Sequence, residues 1–264
     1  MRFNNRKTLR WVFACSTCSL ILVATTFILP IEDIAVFQNS WVFFWIFITN
    51  TGGIIGISLL LLMFSIVLVW NKELNNKLLK VVRWFLLLSF VVGGTALVNE
   101  FLLKEQLKIY RPSILLLERE IGLNAEFFYA QENKSRRREY LNRYLSENNI
   151  TEIEIDGKKV NNNTLKVWIK EAGYSFPSGH SVSAFLLATL LGYLLIIRLT
   201  TKYKWWIILL FFWAVTIASS RVILGVHSPV DVFLGALWGS VIGYAIILSN
   251  IFKRWFSVDE TPMK

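Results

Sequence analysis

The chain has 264 residues, 55% of them hydrophobic and only 17% charged, with a mean hydropathy of +0.50. Ordinary soluble domains carry about a quarter charged residues, so this composition excludes that class and indicates an integral membrane protein. The formal charge of +10 does not imply a nucleic-acid partner, because the basic residues fall in short segments between apolar runs rather than on one face.

In chain order, apolar runs long enough to cross a bilayer as helix lie at about 11–30, 51–70, 84–103, 180–197, 205–220 and 230–252, which predicts six spans. The first run is long for a signal peptide and lacks an Ala-x-Ala exit, so it reads as an uncleaved anchor. Cys15 and Cys18 lie in it with no nearby His and read as small packing residues. Arg2, Arg6, Lys7 and Arg10 precede the first run, and Lys72, Lys77, Lys80 and Arg83 separate the second from the third. Arg198, Lys202 and Lys204 separate the fourth from the fifth, and Lys253 and Arg254 follow the sixth. All four clusters share one side, whereas the first connection holds Glu32 and Asp33 and no Lys or Arg. The positive-inside rule then places both termini in the cytoplasm. Trp11, Trp70, Trp84, Trp205, Trp206 and Trp255 near the inner ends, with Trp41 and Trp45 near an outer one, read as an aromatic belt. Gly235, Gly239 and Gly243 make a small-residue stripe for close helix packing, and Gly52 and Gly56 repeat the spacing.

The segment from about 104 to 176 is too polar to span and falls on the outer side. Charge interleaved with apolar residues predicts short amphipathic helices lying against the bilayer. Ile153 to Gly157 carries a hairpin signal, a helix is expected from about Thr164 to Ala172, and Arg136 to Arg138 read as a solvated basic face. The expected architecture over 1–264 is one all-α membrane domain, a six-transmembrane-helix bundle with a mainly helical extramembrane (periplasmic) cap, 104–176, between the third and fourth helices.

Three polar constellations sit at predicted outer ends. Lys104 and Arg111-Pro112 follow the third run, Ser178-Gly179-His180 opens the fourth, and Ser220-Arg221 through His227 to Asp231 joins the fifth and sixth. The chain has two histidines, and both belong to this set. Lys104, Arg111 and Arg221 are cations, and the unpaired amides of a helix opening at Ser178-Gly179 favour an anion such as phosphate. No cluster of carboxylates or further histidines is present to hold a metal, so neither metal nor cofactor is expected. Two histidines permit a double displacement, in which His227 attacks phosphorus and His180 protonates the departing oxygen. Asp231, one helical turn on, can accept the His227 Nδ1 proton; Ser228-Pro229-Val230-Asp231 also has the form of a capping box, and both roles can hold.

Lys104 with Arg111-Pro112, Pro177-Ser178-Gly179-His180, and Ser220-Arg221 with His227 and Asp231 together resemble the tripartite signature of the type 2 phosphatidic acid phosphatases. The resemblance implies His227 as a nucleophile forming a phosphohistidine, Asp231 as its partner and His180 as general acid. It implies Lys104, Arg111, Ser178, Gly179 and Arg221 as phosphate ligands, and metal independence. It further implies a multi-pass protein of the bacterial inner membrane, acting on the periplasmic face on lipid phosphates such as phosphatidylglycerol phosphate, undecaprenyl diphosphate or phosphatidic acid. Another lipid phosphate, such as that of lipid A, is the alternative substrate. The bilayer and its lipids are the implied partners, with no oligomeric state indicated. Against a transporter, the six runs carry no Asp, Glu, Lys, Arg or His away from their ends. Against an inactive lipid-phosphate binder, every signature position is filled.

Overall fold

The computed structural model describes residues 6–28, 41–70, 76–198 and 205–249. Arg2, Glu32, Asp33, Lys72, Lys202, Lys204, Lys253, Arg254 and Trp255, used above for orientation, lie outside the described residues, as do the side chains of Arg6 and Arg198.

Long apolar runs become helices here because a helix satisfies its backbone groups internally, which a bilayer demands. The order begins with α1 (Arg6–Ala24), α2 (Val42–Thr51), α3 (Ile54–Val69) and α4 (Lys77–Val98). α4 runs on through a π turn (Asn99–Leu103) into a last helical turn (Lys104–Leu107). Then come α5 (Pro112–Ile121), α6 (Ala125–Ala130), α7 (Lys134–Glu147), strands β1 (Glu154–Ile155) and β2 (Lys158–Lys159), α8 (Asn162–Lys170), α9 (Gly179–Arg198), α10 (Trp206–Ile223) and α11 (Pro229–Leu248). Among the described residues, five helical stretches are long and apolar enough to cross a membrane: Lys7–Phe27, Lys77–Leu107, Gly179–Ile197, Trp206–Ile223 and Pro229–Leu248. The pair α2 and α3 makes a sixth if counted as one span, but it is bent by 54°. The predicted second run therefore differs from the structure: its helix begins at Ile54, after a break at Gly52-Gly53.

α9 lies at the centre, largely buried, and it packs most extensively on α11 and α10. The glycine stripe sets the α9–α11 distance. A Cβ at Gly239 would stand 2.2 Å from the Val182 carbonyl oxygen, and one at Gly235 2.9 Å from the Ser178 carbonyl oxygen. Large apolar side chains such as Phe13, Ile21, Leu59 and Phe90 point outward, as lipid-facing residues do. Trp11, Trp70, Trp205 and Trp206 are exposed in keeping with a belt, but Trp84 is buried in the helix core. Cys15 packs against that core, while Cys18 faces outward.

The segment between α4 and α9 folds around a core of its own. Ile114, Leu117, Phe128, Leu141 and Trp168 meet there with Ile223, Leu224 and Val226 at the end of α10. The short helices thus bury their apolar faces against one another, which differs from the expected surface helices. Asparagines start three of them: Asn124, Asn133 and Asn161 each accept hydrogen bonds from the first amides of α6, α7 and α8. β1 and β2 form the expected hairpin, with Asp156 and Gly157 at φ 49° and 75°. Of the three consecutive arginines, Arg136 is exposed, Arg138 donates to the Lys170 carbonyl, and Arg137 is buried. Its guanidinium lies 4.6 Å from the Tyr174 ring and 5.1 Å from that of Tyr129. The solvated basic face therefore fails at Arg137, whose flat cation caps a stack of Tyr110, Tyr129 and Tyr174.

Because the Val182 carbonyl is backbone and cannot move aside, Gly239→Ala should cost about 1–3 kcal/mol by overpacking. Its melting temperature in detergent should fall by several degrees, whereas Gly94→Ala, with nothing within 4 Å of the new Cβ, should leave it unchanged or raise it.

Candidate active site

The predicted residues converge where the ends of α4, α9, α10 and α11 meet the α5–α8 lobe. Lys104 sits in the last turn after α4, buried, with its Nζ 3.2 Å from Glu100 Oε2. Glu100 also pairs with Lys134 of α7. It lies inside the third predicted run, near its end, where Lys104 and Lys134 compensate its charge. Arg111 is the extended residue before α5, with Pro112 at the first helical position. Only 2% exposed, it donates from Nε to the Gly173 carbonyl at 2.8 Å and from Nη1 to the Val226 carbonyl at 2.9 Å. Arg221 falls in the last turn of α10 rather than in a connection, with Nη1 donating to Thr49 Oγ1 at 2.8 Å.

One carboxylate that the sequence reading did not single out joins the two arginines. Glu171, directly after α8, places Oε2 3.1 Å from Arg111 Nη2 and Oε1 2.7 Å from Arg221 Nη2. Burial alone would raise its pKa, but Arg221 and then Arg111 hold the carboxyl well below the usual carboxylate range.

His227 follows the end of α10, where Gly225 adopts φ 69°, a left-handed turn that a glycine makes without strain. Trp168 of α8 braces this connection by donating to the Leu224 carbonyl at 2.7 Å. Arg111 Nη1 stands 3.1 Å from His227 Nε2. A guanidinium only donates, so Nε2 accepts and the imidazole proton resides on Nδ1. Nδ1 lies 3.4 Å from Asp231 Oδ2, beyond a direct hydrogen bond, and 3.2 Å from Ser175 Oγ. The Ser175 hydroxyl in turn donates to Asp231 Oδ2 at 2.5 Å. The expected imidazole–carboxylate pair is present at ion-pair distance, and a serine bridges it with the shorter hydrogen bonds. Asp231 also completes the capping box of α11: Oδ2 accepts from the Ser228 amide at 2.8 Å, and the Asp231 amide donates to Ser228 Oγ at 3.2 Å. Both roles weighed for Asp231 coexist on one oxygen.

His180 lies in the first turn of α9, and Gly179 beside it lets Asn99 of the π turn come close. Ser178 does not face the open space. Its hydroxyl accepts from Ser181 Oγ at 3.0 Å, and its amide donates to the Asp231 carbonyl at 3.1 Å. A cavity of about 420 Å³ is lined by Lys104, Arg111, Gly179, His180, His227 and Glu171, and continues along Ile57, Leu61, Val92 and Ala96 between α3 and α4. A second, of about 810 Å³, opens on Arg221, His180 and Glu171 from the α2–α3 break and α8. An anion in the first cavity can thus meet a guanidinium, an ammonium and two imidazoles, and one in the second the other guanidinium and His180. Glu171 and Ser175 had one signal in the sequence, their place within ten residues before His180.

Residues 84–255 match the family model described as the PAP2 superfamily. Phosphatidylglycerophosphatase B of Escherichia coli K12 is 30% identical over 135 residues, covering 51% of this chain and 48% of that protein. The undecaprenyl-diphosphatase of Sulfolobus acidocaldarius is 41% identical over 75 residues, 28% of this chain and 33% of that protein. The chain spans about half the length, or less, of these curated relatives. The crystal structure of a transmembrane PAP2 type phosphatidylglycerolphosphate phosphatase from Bacillus subtilis shares the fold, with a TM-score of 0.50 and 18% identity over 93% of this chain and 92% of that one.

Burial, then Arg111, push the His227 imidazole well below its usual pKa against the opposing pull of Asp231, so it is neutral when folded. The unfolded chain takes up that proton below about pH 6.5, so this contribution to stability is complete above that pH and lost as pH falls. His227→Gln should flatten the acid limb of unfolding free energy against pH, by up to about 1.4 kcal/mol per pH unit. Parallel curves for the variant and its parent would contradict this.

Proposed function

This chain belongs to the PAP2 superfamily, and from that premise we propose that it is a multi-pass membrane lipid phosphatase acting without a metal through a phosphohistidine intermediate. The observation that carries the reading is the 420 Å³ cavity, apolar between α3 and α4 and cationic at Lys104 and Arg111 beside His180 and His227. That layout suits an amphiphile whose head group is a phosphate and whose tails lie among membrane helices.

The tautomer at His227 suits nucleophilic attack. As the head group enters, Arg111 Nη1 transfers its hydrogen bond from Nε2 to a phosphate oxygen, freeing the lone pair. Nε2 attacks phosphorus and the bond to the lipid oxygen breaks, with His180 supplying the proton to that oxygen. Positive charge on the imidazole is stabilised through Nδ1–H, Ser175 and Asp231. Water then attacks the phosphohistidine, giving its proton to His180, and inorganic phosphate leaves. Lys104, Arg111 and Arg221 balance the charge on the equatorial oxygens, with the Gly179 amide at the start of α9. Ser178 enters as a support for that turn rather than as a direct ligand.

The relatives' names favour phosphatidylglycerol phosphate or undecaprenyl diphosphate as substrate, with phosphatidic acid a third of the same class. A count of six spans, taking α2 and α3 as one bent span, and the positive-inside pattern support a reading with both termini in the cytoplasm and the site on the periplasmic side of a bacterial inner membrane.

Purified protein given phosphatidylglycerol phosphate or undecaprenyl diphosphate should release phosphate in the presence of a chelator. His227→Ala should lower that rate by roughly a thousandfold or more; unimpaired release would sink the mechanism. Ser175→Ala and Asp231→Asn should reduce kcat by at least about tenfold with KM little changed, and the Asp231 variant should lose at most about 1 kcal/mol through its cap. If Asp231→Asn unfolds readily yet turns over normally in the cold, Asp231 serves only the helix.

A further inference from the structure

Arg111 is fixed by the protein itself along its Nε and Nη1 edge and Arg221 at Nη1, while Arg221 Nε is buried without a hydrogen-bond partner among the described residues. Arg111 spends Nε and Nη1 on the Gly173 and Val226 carbonyls and His227, and Arg221 spends Nη1 on Thr49. Both Nη2 groups turn toward the Glu171 carboxylate, one on each oxygen, at 3.1 and 2.7 Å. Glu171 lines both cavities, so an oxyanion held between these guanidiniums has to take the seat that the carboxylate fills.

We propose that Glu171 is a specificity-determining residue, a tethered anion that keeps the seat between Arg111 and Arg221 closed to singly charged head groups and yields it to doubly charged ones. The proposal rests on the lipid-phosphatase reading above. A tethered group competes at an effective concentration of millimolar or more. A phosphodiester, with one negative charge, gains nothing electrostatic by replacing a carboxylate and loses the tether. A terminal phosphate carries about −1.5 to −2 at neutral pH and adds a third acceptor oxygen, so the exchange favours it. This matters in a bilayer, where phosphodiester lipids vastly outnumber phosphomonoesters and would otherwise fill the cavity. The displaced carboxylate has somewhere to go. Glu171 follows the last turn of α8, two residues before Gly173, and the second cavity beside it carries Lys170 on its wall.

Inorganic phosphate, titrated against melting temperature in detergent, reads the seat without requiring turnover. Glu171→Gln removes the charge; Glu171→Asp keeps it but is one methylene too short to reach both arginines. The Gln variant should bind phosphate about tenfold more tightly than the parent, and the Asp variant should also bind it more tightly. Excess phosphatidylglycerol, a phosphodiester, should inhibit hydrolysis of phosphatidylglycerol phosphate by both variants and leave the parent unaffected. A folded Asp variant that binds phosphate no more tightly than the parent overturns the proposal, and it decides the matter if the Gln variant does not fold. If the parent hydrolyses no lipid phosphate, the phosphatase reading falls while the phosphate titration still decides the role of Glu171.

Discussion

Two guanidinium groups, Arg111 and Arg221, are buried to 2% and 1% exposure beside each other, and much else in this protein follows from keeping them there. Stripping water from an ion costs several kcal/mol even after relaxation, and two like charges add repulsion. The fold offsets this with one carboxylate, Glu171, that spans both cations, with the Gly173 and Val226 carbonyls on Arg111 and with the Thr49 hydroxyl on Arg221 Nη1, while Arg221 Nε stays buried without a hydrogen-bond partner among the described residues. Those partners come from α2, the end of α8 and the connections before α9 and α11. The ion cluster therefore ties the α5–α8 lobe to the helical bundle, and the lobe cannot move independently without exposing an uncompensated charge.

A second economy operates at Asp231. One oxygen accepts from the Ser228 amide, which starts α11, and from the Ser175 hydroxyl, which leads to His227 Nδ1. The same atom fixes a helix end and the orientation of an imidazole, so the position of the imidazole is as firm as the helix. Ser175 is itself held by its amide on the Ile109 carbonyl and by Tyr174, stacked on Tyr129 beneath Arg137. The aromatic stack in the lobe thereby reaches the polar centre through Ser175, and again through the Tyr129 hydroxyl, which accepts from the Arg111 amide at 2.9 Å.

Close packing of α9 on α11 completes the geometry. Gly235 and Gly239 bring the α11 backbone against the Ser178 and Val182 carbonyls, so the start of α9, with His180, is drawn toward the loop that carries His227. On the other flank α3 and α4 leave a gap lined by Ile57, Leu61, Val92 and Ala96 that runs to the same centre. Tight packing on one side and a gap on the other give the cationic end of the cavity an apolar approach.

The sequence by itself determined the membrane class, the approximate positions of the apolar helices and the residues that gather at their ends. Those follow from local causes: a bilayer requires long apolar helices, and charged residues are expelled to their ends. The capping box at Ser228 to Asp231 and the hairpin turn at Asp156-Gly157 were legible for the same reason, since each acts within a few residues. The bend at Gly52-Gly53, the burial of Trp84 and Arg137, the inward turn of the Ser178 hydroxyl and the parts taken by Ser175 and Glu171 were decided only by tertiary structure. Most of these depend on partners far along the chain, as in Arg221 with Thr49 or Ser175 with Asp231, and no local pattern records which groups a packed interior will bring within 3 Å of one another.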